Sequence, residues 1–153
     1  MANTALPLTL DHQLCFAMYR ASRAMIRAYG PLLEPLGLTY PQYLALLVLW
    51  EVDKVSVRQL GERLSLDSAT LTPLLKRLEK RGLVTRQRER DDERVVRIVL
   101  TKAGRALQAR CRDIPRAAAC RLGDLADRAL LARLTRLREE LRDLAERLEQ
   151  TGS

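Results

Sequence analysis

Cys15, Cys111 and Cys120 carry the nucleophilic and redox chemistry open to this 153-residue chain. None stands in a C-x-x-C pair or a zinc-binding pattern, and His12 is the one histidine, so neither a metal site nor a dithiol motif is expected. No cofactor is expected either. By composition each thiol reads first as a small buried apolar side chain. Cys15 differs in its setting. Thr9 or Asp11 can cap a helix that begins just before it, placing Cys15 in the first two turns, where free N–H groups and the helix dipole favour a thiolate. The thiolate is the form that oxidants attack.

A second kind of chemistry lies in the charges. The formal net charge is +8, and residues 76–105 hold six of it, eleven basic side chains against five acidic ones. An excess gathered in one segment suits a polyanion, and nucleic acid is the partner it suggests. A solvated helix face would carry similar charges, so the surrounding pattern has to decide.

Ser56 opens a short helix with Gln59 as its capping-box partner, and Val57, Leu60 and Leu64 share a face. After a turn at 66–67 a second helix runs to Arg81, with Leu71, Leu74, Leu75 and Leu78 inward and Gly82 as the left-handed residue that ends it. Pro73 would interrupt a helix begun at Asp67. The expected start is therefore Thr70, which leaves Ser68, Thr70 and Thr72 as hydroxyl donors for phosphates and base edges. Residues 84–88 and 95–100 then read as two strands around a charged turn at 89–93, with Val96, Ile98 and Leu100 on one side, before Thr101 caps a new helix. A helix-turn-helix followed by a basic hairpin is the winged-helix arrangement. Its second helix, here with Lys76 and Arg77, enters the major groove. The hairpin, with Arg86 and with Arg94 braced by Asp92, reaches a neighbouring minor groove.

The run Leu66-Asp67-Ser68-Ala69-Thr70-Leu71-Thr72-Pro73-Leu74-Leu75-Lys76-Arg77-Leu78-Glu79, followed by Gly82-Leu83-Val84, Asp92-Glu93-Arg94 and Leu100-Thr101-Lys102-Ala103-Gly104, resembles the DNA-binding lobe of the MarR family of bacterial winged-helix repressors. Gln13-Leu14-Cys15-Phe16-Ala17, Tyr29 and Leu38-Thr39-Tyr40-Pro41-Gln42-Tyr43 resemble the branch that senses organic hydroperoxides, the OhrR-type regulators. The resemblance covers roughly residues 8–148. It implies a mainly α fold with a small β-hairpin in a single domain, 1–153. Within it, 53–105 would form the winged helix-turn-helix lobe, and 8–50 with 106–150 a helical dimerisation region. It also implies that Cys15 is the peroxide-reactive thiol, that Tyr29 and Tyr40 hydrogen-bond its sulfur, and that Tyr19, one turn on, supports them. Phe16, Met18 and Leu44 would wall an apolar pocket. In the two-cysteine subgroup the resolving thiol matches Cys120 and bonds across two chains. Cys111 is its rival, with a free buried thiol as its default.

Leu130, Leu134, Leu137, Leu141, Leu144 and Leu148 alternate spacings of four and three, a stripe that one helix cannot bury alone. Such a stripe ordinarily packs on its own chain. The resemblance instead implies a homodimer that reads palindromic double-stranded operator DNA. The longest apolar run, 44–50, is too short to span a bilayer, so a cytoplasmic protein without a membrane partner is expected. The function expected is a repressor that releases its operator when an organic hydroperoxide oxidises it. Two other classes stay open: a repressor answering to a noncovalent phenolic or other small ligand, and a thiol peroxidase. The basic wing and the lack of a C-x-x-C motif stand against an enzyme.

Overall fold

Leu71, Leu74, Leu75 and Leu78, one stripe of a helix, lie in a core that also takes in Tyr43, Leu46, Leu60 and Ile98. The elements that bring them together appear in a computed structural model describing residues 7–89 and 95–151. In chain order they are α1 (Leu14–Leu33), α2 (Tyr40–Glu51), β1 (Val55–Ser56), α3 (Val57–Leu64), α4 (Ser68–Lys80), β2 (Val84–Arg88), β3 (Val96–Leu100), α5 (Lys102–Cys111), α6 (Ile114–Ala119) and α7 (Arg128–Thr151). The chain packs as two compact units, Met1–Ile114 and Pro115–Ser153. The first holds a winged helix-turn-helix: α3, a turn, α4, and the antiparallel hairpin β2–β3 paired from Val84↔Leu100 to Arg88↔Val96. No single helix among the described residues is long and apolar enough to cross a membrane.

Local chemistry explains most element ends. Ser56 Oγ accepts the Gln59 N–H at 3.1 Å while Gln59 Oε1 accepts the Ser56 N–H at 3.1 Å, closing the expected box. Gly82, at φ +67°, ends α4, and Thr101 caps α5 by accepting the Gly104 N–H. The sheet has a third strand that the residue pattern did not suggest. β1, only two residues long, pairs with β3 so that the order is β1-β3-β2.

Two expected helix starts differ. Thr9 precedes a 3-10 turn, Leu10–His12, and its hydroxyl meets His12 Nδ1 at 2.7 Å, so Gln13 stands at the cap position of α1. Cys15 is then the second residue of that helix. α4 begins at Ser68 and not at Thr70, because Asp67 Oδ1 accepts the Thr70 N–H at 2.6 Å, which places Pro73 inside the helix. The proline costs about 3 kcal/mol. Burial of four leucines, each 8% exposed or less, contributes about 1.5–3 kcal/mol apiece and outweighs it.

Asp53 ties the hairpin to its surroundings. Its carboxylate accepts the Lys54 N–H at 2.9 Å and the Leu100 N–H at 3.0 Å and pairs with Arg105. Partial burial pushes the carboxyl up, but the Leu100, Arg105 and Lys54 donors together hold it below the usual carboxylate range. Tyr43 is the opposite case. It is 2% exposed, packs edge-on to Trp50, and its hydroxyl finds no hydrogen-bond partner among the described residues. Burial first, then the neighbouring Tyr29, Cys111 and Tyr40, push its phenol up to about 12. An unpaired buried hydroxyl costs about 1–3 kcal/mol, so Tyr43→Phe is expected to raise the melting temperature. A raised folded pKa means stability present below pH 10 and lost as the pH climbs through the folded value. The gain from Tyr43→Phe should therefore widen in melts above pH 10.

α7 buries none of its residues, and Leu137, Leu141 and Leu148 are 40–60% exposed. On α1, Leu14, Tyr19 and Ile26 are exposed as well.

Candidate nucleic-acid interface and thiol site

The turn between α3 and α4 is held by Ser65 at φ +51° and by the Asp67 cap, so the first turn of α4 stands clear with its leucines turned inward. Ser68, Thr70, Lys76 and Arg77 are exposed on the face away from those leucines. Neither Lys76 nor Arg77 has an acidic partner among the described residues. Thr72 is half-buried, and its hydroxyl donates to the Ser68 carbonyl at 2.7 Å. This face offers free cations, hydroxyls and the N-terminus of a helix, which can together engage a phosphate backbone and base edges.

Arg86 does not project from the hairpin as expected. It lies two residues after the buried Val84 and so on the same inward side of β2. Its Nε is 3.3 Å from Glu79 Oε2 and its Nη2 donates to the Thr72 carbonyl at 3.4 Å, bracing the hairpin against α4. Arg97, which the charge pattern did not single out, acts toward the turn end of the hairpin, where it pairs with Gln87 and donates to Glu89 Oε1 and the Lys54 carbonyl, each at 3.0 Å. Asp92 and Arg94, expected at the wing tip, lie outside the described residues.

The three thiols are unbonded and differ in access. Cys15 is exposed in the first turn of α1, and Cys120 is exposed at the start of a 3-10 turn, Cys120–Leu122. Cys111, the last residue of α5, is 3% exposed, and burial pushes its thiol up.

Tyr29 and Tyr40 meet each other, ring centroids 4.9 Å apart, with Tyr43 5.9 Å from Tyr29. Burial raises both phenols, and Tyr40 adds to the rise at Tyr29. They do not meet Cys15 of their own chain. Cys15 and Tyr29 are fourteen residues apart on one helix, about 21 Å along its axis at 1.5 Å per residue. Tyr19 is 55% exposed, with its hydroxyl accepting from Arg23 Nη1 at 2.7 Å and the Arg23 guanidinium 5.3 Å from its ring centre. Phe16, Met18 and Leu44 are each half-buried.

Known proteins resemble this chain over most of its length. The family described as transcriptional regulator SarA/Rot matches residues 27–110, more than half of the chain. The organic hydroperoxide resistance transcriptional regulator of Bacillus subtilis is 54% identical over 108 residues, 71% of this chain and 74% of that protein. AbfR, a Staphylococcus epidermidis protein solved in reduced form on DNA and also with a disulfide formed, superposes in the DNA-bound form at a TM-score of 0.70 and 37% identity, over 89% of this chain and 96% of AbfR. CouR of Rhodococcus jostii, solved with p-coumaroyl-CoA, superposes at 0.75 with 25% identity, over 91% of this chain and 96% of CouR. The chain thus belongs to the MarR-type winged-helix DNA-binding transcriptional regulators, on the SarA/Rot side of that family.

Proposed function

We propose that the chain is a cytoplasmic, homodimeric repressor that holds a palindromic operator when reduced and releases it when an organic hydroperoxide oxidises Cys15. The observation that carries this reading is the division among the thiols: the two that the chemistry needs, Cys15 and Cys120, are exposed, and Cys111 is sealed. The Cys15 thiolate attacks the peroxide O–O bond and takes up one oxygen as a sulfenic acid, and the alcohol leaves with a proton. The thiol of the partner's Cys120 then displaces water and closes a disulfide between chains. Ser68, Thr70, Lys76 and Arg77 engage the operator, and the family resemblance adds Asp92 and Arg94 to them. The exposed leucines of α7 and the open face of α1 supply the surface that a second copy covers.

Because about 21 Å separates Cys15 from Tyr29 along α1, the phenols that stabilise a thiolate come from the other chain: Cys15 meets the partner's Tyr29 and the partner's Tyr40. Mixed dimers test this. Pairing a Cys15→Ser chain with a Tyr29→Phe/Tyr40→Phe chain leaves one sensing thiol, opposite two intact tyrosines. It should oxidise at the wild-type rate, whereas the Tyr29→Phe/Tyr40→Phe homodimer, with no phenol to hold the thiolate, should oxidise more slowly. A mixed dimer as slow as that homodimer would place the tyrosines in the thiol's own chain.

Intact mass under non-reducing conditions, with one equivalent of cumene hydroperoxide, and a gel shift on an operator selected from random duplexes test the reading as a whole. A second reading, release by a noncovalent phenolic ligand, draws on the likeness to CouR and on an open groove beside α4 lined by Val57, Leu66, Leu71 and Val96. Release by such a ligand from a Cys15→Ser protein would favour it.

A further inference from the structure

Arg81 joins the end of the DNA-facing helix to the base of the tyrosine pair. It is the C-cap of α4, and its side chain turns away from α4's exposed face to donate from Nη2 to the Leu36 carbonyl at 2.7 Å and from Nη1 to the Gly37 carbonyl. Those carbonyls end the short turn Glu34–Leu36 that links α1 to α2. Gly37, at φ +63°, makes the bend, and a side chain there would meet Arg81 Nη2 at 3.0 Å. Three residues later comes Tyr40, the first residue of α2, packed against Tyr29 near the end of α1 with the ring planes tilted by 56°. One guanidinium therefore spans the joint between the two tyrosine-bearing helices and the helix that carries Ser68, Thr70, Lys76 and Arg77.

We infer that Arg81 is a positioning residue that transmits the oxidation state of the thiol site to α4. The inference rests on the redox reading above: a Cys15 held in a disulfide is no longer the thiolate that the partner's Tyr29 and the partner's Tyr40 hold, and we take those tyrosines to shift when it is lost. A shift at Tyr40 moves the Leu36 and Gly37 carbonyls, and a two-donor planar clamp carries that movement to the end of α4. A lysine keeps the charge but presents a single ammonium, which cannot hold both carbonyls in a fixed fork. Arg81 and both acceptors lie at the surface, so losing the clamp exposes these groups to water and leaves the core untouched.

The test uses wild-type and Arg81→Lys full-length dimers, measuring operator Kd before and after cumene hydroperoxide together with the yield of disulfide and the melting temperature. Coupling between two sites is commonly worth about 5- to 150-fold in affinity. Arg81→Lys should keep the reduced-state Kd and the disulfide yield, while its oxidised-to-reduced Kd ratio falls at least about fivefold below that of wild type. An unchanged ratio overturns the inference, and so does a loss of disulfide yield, which would place Arg81 in the oxidation chemistry and not in its transmission. A wild type whose Kd peroxide leaves unaltered overturns the redox reading and this inference with it.

Discussion

Cys15→Ser will bind its operator as tightly as the reduced wild type and will not release it at any dose of cumene hydroperoxide. Serine keeps the size and the helical position of Cys15, so the dimer and the DNA-facing helix are undisturbed. Its oxygen cannot form a sulfenic acid, and without that intermediate there is nothing for a second thiol to attack. The same chemistry predicts the gel pattern. Wild type should give a dithiothreitol-reversible dimer band after peroxide, lost in Cys15→Ser and Cys120→Ser and kept in Cys111→Ser. The burial of Cys111 sets the last outcome, because closing a disulfide brings the two Cα atoms to about 4.4–6.8 Å, and a thiol 3% exposed in the core cannot be approached by another chain without unfolding α5. Loss of the band in Cys111→Ser alone would move the resolving role there. Release of the operator by peroxide from Cys15→Ser would end the mechanism.

The thiols show how far residues in order could take the argument. Their identities and the resemblance named Cys15 and Cys120 and left Cys111 as a rival; burial, decided by helices that pack from elsewhere in the chain, sets Cys111 apart from Cys120. The fourteen-residue spacing of Cys15 and Tyr29 was legible as a length. It became a constraint once α1 proved continuous from Leu14 to Leu33. Signals that act within four residues came through well: the Ser56–Gln59 box, Gly82 after α4, and Thr101 before α5. Where a local penalty competed with distant packing, as at Pro73, packing won and the helix began two residues early. Arg86 shows the same limit, since alternation in β2 turns it inward to Glu79 and no count of charge reveals that. Asp53, Arg97 and Arg81 lie beyond local reading altogether, for each finds partners more than forty residues away.

Gly104→Ala will be the most damaging single methyl group in the DNA-binding lobe. In an exposed helix the change would stabilise by about 1 kcal/mol, because alanine gives up less freedom than glycine. In α5 a Cβ at 104 would lie 2.1 Å from the Leu83 carbonyl oxygen and 3.1 Å from Leu100 Cδ2. That carbonyl cannot step aside cheaply. It accepts the Thr101 N–H at 3.1 Å, and the Thr101 hydroxyl, which donates to the neighbouring Gly82 carbonyl at 2.6 Å, caps α5 through the Gly104 N–H at 3.0 Å. Nor can α5 retreat freely, since the Gly104 carbonyl accepts the Trp50 indole N–H at 2.9 Å. Overpacking of this kind costs about 1–3 kcal/mol where flexible side chains give way, and more where two backbones collide. We expect a loss of at least about 3 kcal/mol in urea unfolding, against the gain that helix propensity alone would give. The strain falls where α5 meets the base of β2 and β3, so operator affinity should fall as well, with the hairpin's aim disturbed before the dimer is. A Gly104→Ala protein as stable as wild type would mean that the α5–hairpin junction is looser than these contacts require.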